Sequence, residues 1–154
     1  MPEIRIRSIL APTDFSPSAE RALEYACSLA SQLGATLHLL HVLSDAVIPV
    51  GPDPSLITAI PPEYYSETES QSREALARAI PDTWPQPPAR RVEVRWGSAV
   101  EGITAYAADQ RIDLIVLATH GRTGLSHVLL GSVAEQIVRT APCPVLTIRR
   151  PASG

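Results

Sequence analysis

Two short stretches of this sequence are apolar at consecutive positions rather than alternate ones: Thr36 to Leu43 (Thr-Leu-His-Leu-Leu-His-Val-Leu) and Asp113 to Ala118 (Asp-Leu-Ile-Val-Leu-Ala). A strand with one wet face alternates apolar and polar residues. A run without that alternation has both faces covered, which is the situation of strands in parallel sheets flanked by helices. The segments around these runs carry apolar residues at helical spacing instead, so the chain reads as a succession of strands and helices.

Ile6 to Ala11 reads as the first strand, ended by the turn chemistry of Pro12-Thr13-Asp14-Phe15. Ser16 is a helix N-cap with Pro17 at the first helical position, where its missing N–H costs nothing. Ala19, Ala22, Leu23, Ala26, Leu29, Ala30 and Leu33 then recur at helical spacing up to a left-handed stop at Gly34. After the second strand, Thr36 to Leu43, the connection from Ser44 to Pro62 is long and rich in Pro and Gly, and it admits three readings: a lid, a dimer contact or a partly helical segment. A weak stripe of Ala75, Leu76, Ala79 and Ile80 places a helix over about Glu63 to Ile80, and the prolines between Pro81 and Pro88 end it.

Arg91 to Trp96 alternates like an edge or half-buried strand, with Val92, Val94 and Trp96 on one face. Ser98 and Glu101 have the spacing of a capping box for a helix bearing Val100, Ile103 and Ala107. A glycine-bearing loop, Thr119 to Leu130, separates the Asp113–Ala118 strand from a helix over about Ser132 to Thr140, and Val145 to Ile148 is the last strand. This order predicts an α/β chain: residues 1–154 as a single domain, built on one doubly wound five-stranded parallel sheet, Rossmann-like, in the order 3-2-1-4-5 with helices on both faces.

Charge excludes several functions. Thirteen basic residues against 16 acidic ones leave a net charge of −3, which gives no electrostatic case for nucleic acid or an anionic membrane as partner. All 13 basic residues are arginine, so Schiff-base chemistry and the P-loop lysine are ruled out by inventory. The N-terminus has an acid at Glu3 and no signal-peptide pattern, and no run approaches the roughly 18 apolar residues of a membrane span, so a cytoplasmic protein is expected. Cys27 and Cys143 are read as reduced packing residues. His38 and His41, three apart on a strand, point to opposite faces and do not share a metal.

In an open parallel sheet the ligand lies beyond the carboxyl ends of the strands, where the strand order reverses. The loop after the fourth strand reads Ala118-Thr119-His120-Gly121-Arg122-Thr123-Gly124, continues through Leu125 to Leu130, and meets Gly131-Ser132 at a helix start. Glycines let backbone approach phosphate oxygens closely, and a helix N-terminus offers unpaired N–H groups with a partial positive charge. Ser132 adds a hydroxyl and Arg122 a cation. There is no G-x-x-x-x-G-K-[ST], and no G-x-G-x-x-G follows the first strand, so neither a P-loop nor a dinucleotide fingerprint is present.

The run Thr-His-Gly-Arg-Thr-Gly-Leu-Ser-His-Val-Leu-Leu-Gly-Ser-Val, in which nine residues separate Gly121 from Gly131-Ser132, resembles the nucleotide motif of the universal stress protein family. The resemblance spans nearly the whole chain: Ile-Leu-Ala-Pro-Thr-Asp-Phe-Ser from Ile9, His-Val from His41, Asp-Leu-Ile-Val from Asp113 and Pro-Cys-Pro-Val-Leu from Pro142. It points to the ATP-binding subclass of that family. It implies nucleoside contacts at Pro12, Thr13 and Asp14, a backbone contact to the adenine edge at Val42, and phosphate contacts at Gly121, Arg122, Gly131, Ser132 and Val133. Leu117 and Ala118 at the end of the fourth strand complete the set, and His120 either touches ribose or phosphate or stabilises the loop. Ala118 departs from the motif, standing where it has its first glycine.

The ligand implied is ATP, with ADP, AMP or cyclic AMP as variants and Mg2+ or Mn2+ accompanying a triphosphate. No residue is assigned to catalysis or to a protein-bound metal, since no nucleophile and base are seen together. A stress-response binding module is thus the expected function. A slow ATPase or phosphotransferase and a ligand-free dimeric scaffold or chaperone-like protein are the rivals. The family resemblance also implies a homodimer joined through Val145–Ile148.

Overall fold

Nine elements follow one another: β1 (Ser8–Pro12), α1 (Pro17–Leu33), β2 (Thr36–Leu43), α2 (Pro62–Ala77), β3 (Ala89–Trp96), α3 (Ala99–Asp109), β4 (Leu114–Ala118), α4 (Ser132–Thr140) and β5 (Val145–Ile148). The computed structural model describes residues 2–44, 52–53, 60–120 and 130–149. The five strands are parallel and lie in the order β3-β2-β1-β4-β5, as the pattern predicts. Most of the Ser44–Pro62 connection, and with it the choice between lid, dimer contact and helix, lies outside the described residues.

Two apolar layers explain the unbroken runs. Ile9, Ala11, Leu37, Leu39 and Val116 pack with Leu23, Ala26, Cys27 and Ala30 of α1 and Leu76 of α2. Leu10, Leu40, Ile115 and Leu117, the alternate positions of the same strands, pack with Ile103, Tyr106 and Ala107 of α3 and Ala134 and Ile137 of α4. Each inner strand is therefore apolar on both faces because a helix pair covers each side.

Local signals set most boundaries. Ser16 Oγ accepts the Ala19 N–H at 3.2 Å, Pro17 opens α1, and Gly34 closes it at φ +67°. β1 begins at Ser8 rather than Ile6 because the Asp113 carboxylate takes the backbone there: its Oδ2 accepts from the N–H of Arg7 at 2.8 Å and of Ser8 at 3.0 Å, and from the Ser8 hydroxyl at 3.1 Å. Three expectations need correction. The inner stripe of α2 is Ser72 and Leu76, continued by Ile80 just past its end, with Ala75 exposed: the buried positions recur every fourth residue in one narrow row. On α1, Leu33 is half exposed and Cys27 is buried in the stripe instead. Ser98 is the N-cap of α3, but its hydroxyl makes no capping bond; its carbonyl accepts the Gly102 N–H, and burial of Ile103, Tyr106 and Ala107 holds the helix.

The two cysteines are free. Burial pushes the Cys27 thiol up to about 11, with Arg90 pulling it partly back, so it stays protonated and unreactive as a packing residue. His38, 4% exposed, faces α3, and its Nδ1 lies 2.8 Å from the Tyr106 hydroxyl. Burial, with Arg91 adding to it, holds this imidazole below its ordinary 6.5. Below about pH 6.5 the unfolded chain therefore takes up a proton that the folded site resists. The His38 contribution to stability is complete above that pH and lost as pH falls through the lower folded value. Urea melts of the protein and of His38→Gln between pH 7.5 and 5 should show the wild type losing stability faster on acidification.

Candidate functional site

The strand order reverses between β1 and β4, and a cavity of about 350 Å3 opens at their carboxyl ends. Its walls come from five places in the chain. The end of β1 gives Pro12 and the loop after it Thr13 and Asp14; β2 gives Leu40 and Val42; the end of β4 gives Leu117 and Ala118, followed by Thr119 and His120; and the start of α4 gives Gly131, Ser132 and Val133. Ala99 and Ile103 of α3, with Ala134 and Ile137 of α4, form an apolar wall. The structure thus brings ten of the sequence-derived candidates, Pro12, Thr13, Asp14, Val42, Leu117, Ala118, His120, Gly131, Ser132 and Val133, to one cavity. Gly121 and Arg122 lie outside the described residues, as does most of the glycine loop.

Hydrogen bonds fix the polar rim. Thr13 N–H continues the sheet by donating to Leu40 O at 2.9 Å. Thr13 Oγ1 accepts from Phe15 N–H and Asp14 Oδ1 from Ser16 N–H, both at 3.0 Å, so this short loop is a pair of overlapping side-chain turns. Across the cavity, Thr119 N–H donates to Ile148 O at 3.1 Å, its carbonyl accepts Gly131 N–H at 2.6 Å, and its hydroxyl lies 2.9 Å from His120 Nδ1. The Thr119–Gly131 bond brings the start of α4 against the end of β4. A glycine suits this approach, because a Cβ on residue 131 would stand 3.1 Å from Thr119 O and the two would have to shift apart by a few tenths of an ångström.

The chemistry available is that of binding. The first turn of α4 presents backbone N–H groups that no side chain at the N-cap satisfies, and Ser132 adds a hydroxyl, so this end suits an anion. Leu40, Val42, Ile103 and Ile137 suit a flat apolar body, and Asp14 suits a hydroxyl or amine donor. Ala118 sits in the strand opposite Ile148, so its methyl costs the backbone nothing and lines the cavity. Among the described residues, no group of three His, Cys, Asp or Glu could hold a metal ion unaided. No described helix is long and apolar enough to cross a membrane.

Sequence reasoning missed the apolar wall. Leu40 was within reach, being two residues before Val42 on the same face of β2. Ala99 and Ile103 were not, because nothing local tells which end of the sheet α3 overhangs.

Known proteins are similar to this chain over nearly its whole length. Universal stress protein MJ0531 of Methanocaldococcus jannaschii is 31% identical over 156 residues, covering 94% of this chain and 83% of its own. Universal stress protein A homolog 1 of Coxiella burnetii is 32% identical over 142 residues, covering 92% and 95%. Among solved structures, protein MJ0577 of M. jannaschii superposes with a TM-score of 0.76 at 26% identity, covering 97% of this chain and all of that one. The family model described as the universal stress protein family matches residues 5–149, from just before β1 to just after β5. Sequence match and strand order agree, and the chain belongs to the universal stress protein family.

Proposed function

We propose that this chain is an adenine-nucleotide-binding module of the stress response: a single domain over residues 1–154 that holds ATP, and acts as a cytoplasmic regulatory binder rather than as an enzyme. The observation that carries this reading is the division of one cavity into an apolar slot at Leu40, Val42 and Ile103, a carboxylate at Asp14 and an anion-binding helix start at Gly131-Ser132. Adenine, ribose and phosphate ask for those three surfaces in that succession. Gly121 and Arg122 would add to the phosphate end. Mg2+ or Mn2+ would arrive as the counter-ion of the triphosphate.

Magnitudes favour a whole nucleotide over a bare phosphate. A micromolar site needs about 8 kcal/mol, whereas a helix terminus supplies at most about 2 kcal/mol. The apolar slot has to provide much of the difference. Two solved structures of this fold, each 19% identical to the chain, are complexes with cyclic AMP and with dAMP. At that identity the likeness shows the fold, and the cavity itself carries the ligand reading.

The test is a thermal melt of nucleotide-stripped protein with MgATP. At a hundredfold excess over Kd, binding to the folded state alone adds about 2.7 kcal/mol, or roughly 5 to 11 °C for a chain of this size. No shift with ATP, ADP, AMP or cyclic AMP would sink the reading.

A homodimer through β5 belongs to the same proposal. β5 is an edge strand whose Pro144 and Ile148 carbonyls face β4. Val145 and Thr147, the alternate residues, therefore turn their backbone groups to the open edge, where a second copy can pair. Light scattering should give about 33 kDa, twice 16.6 kDa, and Thr147→Pro, which removes an outward donor, should give the monomer.

A further inference from the structure

The loop that carries Asp14 is held from the far side of the sheet. Leu40 and Val42 line the cavity, so His41 between them faces the α1 side, where it is buried. Its Nδ1 lies 2.7 Å from the Thr13 carbonyl oxygen. A carbonyl only accepts, so Nδ1 carries the proton and donates it. The Phe15 ring covers the imidazole, with centroids 4.7 Å apart and planes tilted by 53°.

Phe15 has φ +61°, a left-handed conformation unfavourable for a bulky side chain. The turn between β3 and α3 uses a glycine for its positive φ, Gly97 at +125°. In the β1–α1 loop a phenylalanine takes that place, one residue after Asp14, and its ring rests on His41. The loop keeps this conformation beside the cavity wall, while Arg111, at φ +51° in the turn after α3, takes a similar one away from it.

We infer that His41 is a positioning residue of the cavity: its Nδ1–H and the Phe15 ring packed against it at a tilt lock the β1–α1 loop in the conformation that sets Thr13 and Asp14 on the cavity wall. It touches no ligand. It orders the carboxylate that would meet the hydroxyl-bearing end of a nucleoside, and in this it rests on the nucleotide reading above.

The experiment measures MgATP affinity by calorimetry, and amide hydrogen exchange of the nucleotide-free protein, for the full chain, three single variants and the His41→Phe/Asp14→Ala double variant. His41→Phe keeps an aromatic ring and loses the donor. His41→Asn keeps a side-chain N–H near the Nδ1 position, and Asp14→Ala removes the carboxylate itself. Loss of one positioning hydrogen bond should weaken MgATP binding about tenfold in His41→Phe. His41→Asn should recover part of that loss.

In the Asp14→Ala background, His41→Phe should add less than about twofold, because both changes act on one carboxylate. Without nucleotide, the Phe15 and Ser16 amides should exchange faster in His41→Phe, with β1 and β2 unchanged.

Wild-type affinity in His41→Phe, an equal loss in both backgrounds, or faster exchange throughout the sheet would overturn the inference and leave the nucleotide reading standing. Failure of the wild-type protein to bind any adenine nucleotide would instead remove that reading and the positioning role with it.

Discussion

Ile137→Ala should lower the unfolding free energy by about 2–5 kcal/mol, the range for truncating a fully buried isoleucine, and should abolish MgATP binding together with it. α4 has nine residues and buries only Ala134 and Ile137, so a single side chain supplies most of its apolar anchorage. Ile137 is completely buried among the α3-side core residues and also lines the cavity. Its removal loosens the helix whose first turn is the proposed phosphate site. For a chain of this length a loss of about 3.5 kcal/mol lowers Tm by roughly 7 to 14 °C. Arg139→Ala two residues on is the matched control: its ion pair with Glu135 is solvent-exposed, and its loss should change stability by less than about 0.5 kcal/mol and leave binding intact. Equal effects of the two changes would remove the claim that α4 is anchored through Ile137.

Gly131→Val should erase the MgATP-induced rise in Tm while costing the free protein only about 1–3 kcal/mol of overpacking. The backbone poses no objection to valine, since Gly131 has φ −66°. The objection is spatial. A Cβ would stand 3.1 Å from the Thr119 carbonyl oxygen and 3.7 Å from His120 Cα, at the point where a 2.6 Å hydrogen bond draws β4 and α4 together. Relief of that contact requires the α4 start to move away from Thr119 and His120, which separates the two halves of the cavity rim. Gly131→Ala, with one methyl, should retain part of the shift. A Gly131→Val protein that is stabilised by MgATP as strongly as the wild type would place the anion elsewhere.

The chain's own text carries its architecture because each sheet face is written in alternate residues. Leu37 and Leu39 address α1 while Leu40 addresses α3, so the apolar run of β2 already contains both layers. Ser16, Pro17 and Gly34 act within a few residues of where they stand, and the bounds of α1 follow from them. What was not legible depends on contacts made across the fold. Asp113 shortens β1 from 105 residues away, and His41 reaches Thr13 from 28 residues away. Ser98 has the right spacing for a capping box, yet its hydroxyl makes no capping bond. Likewise the cavity residues of the motif could be named in advance, whereas Ala99 and Ile103 owe their place to the way α3 lies over the sheet.

The central position of β1 has a consequence for synthesis. β1 lies between β2 and β4, so the strand made first needs partners from both ends of the sequence. β2 follows within a few dozen residues, but β4 ends at Ala118, about a hundred residues after β1. At a ribosomal rate of roughly 5–20 residues per second, one edge of β1 waits about 5–20 s with its backbone donors and acceptors open. A nascent chain stalled before residue 114 therefore exposes a strand edge that the finished protein hides at its centre. During that interval this edge of β1, later covered by β4, is open to capture by a chaperone or by another copy of the chain.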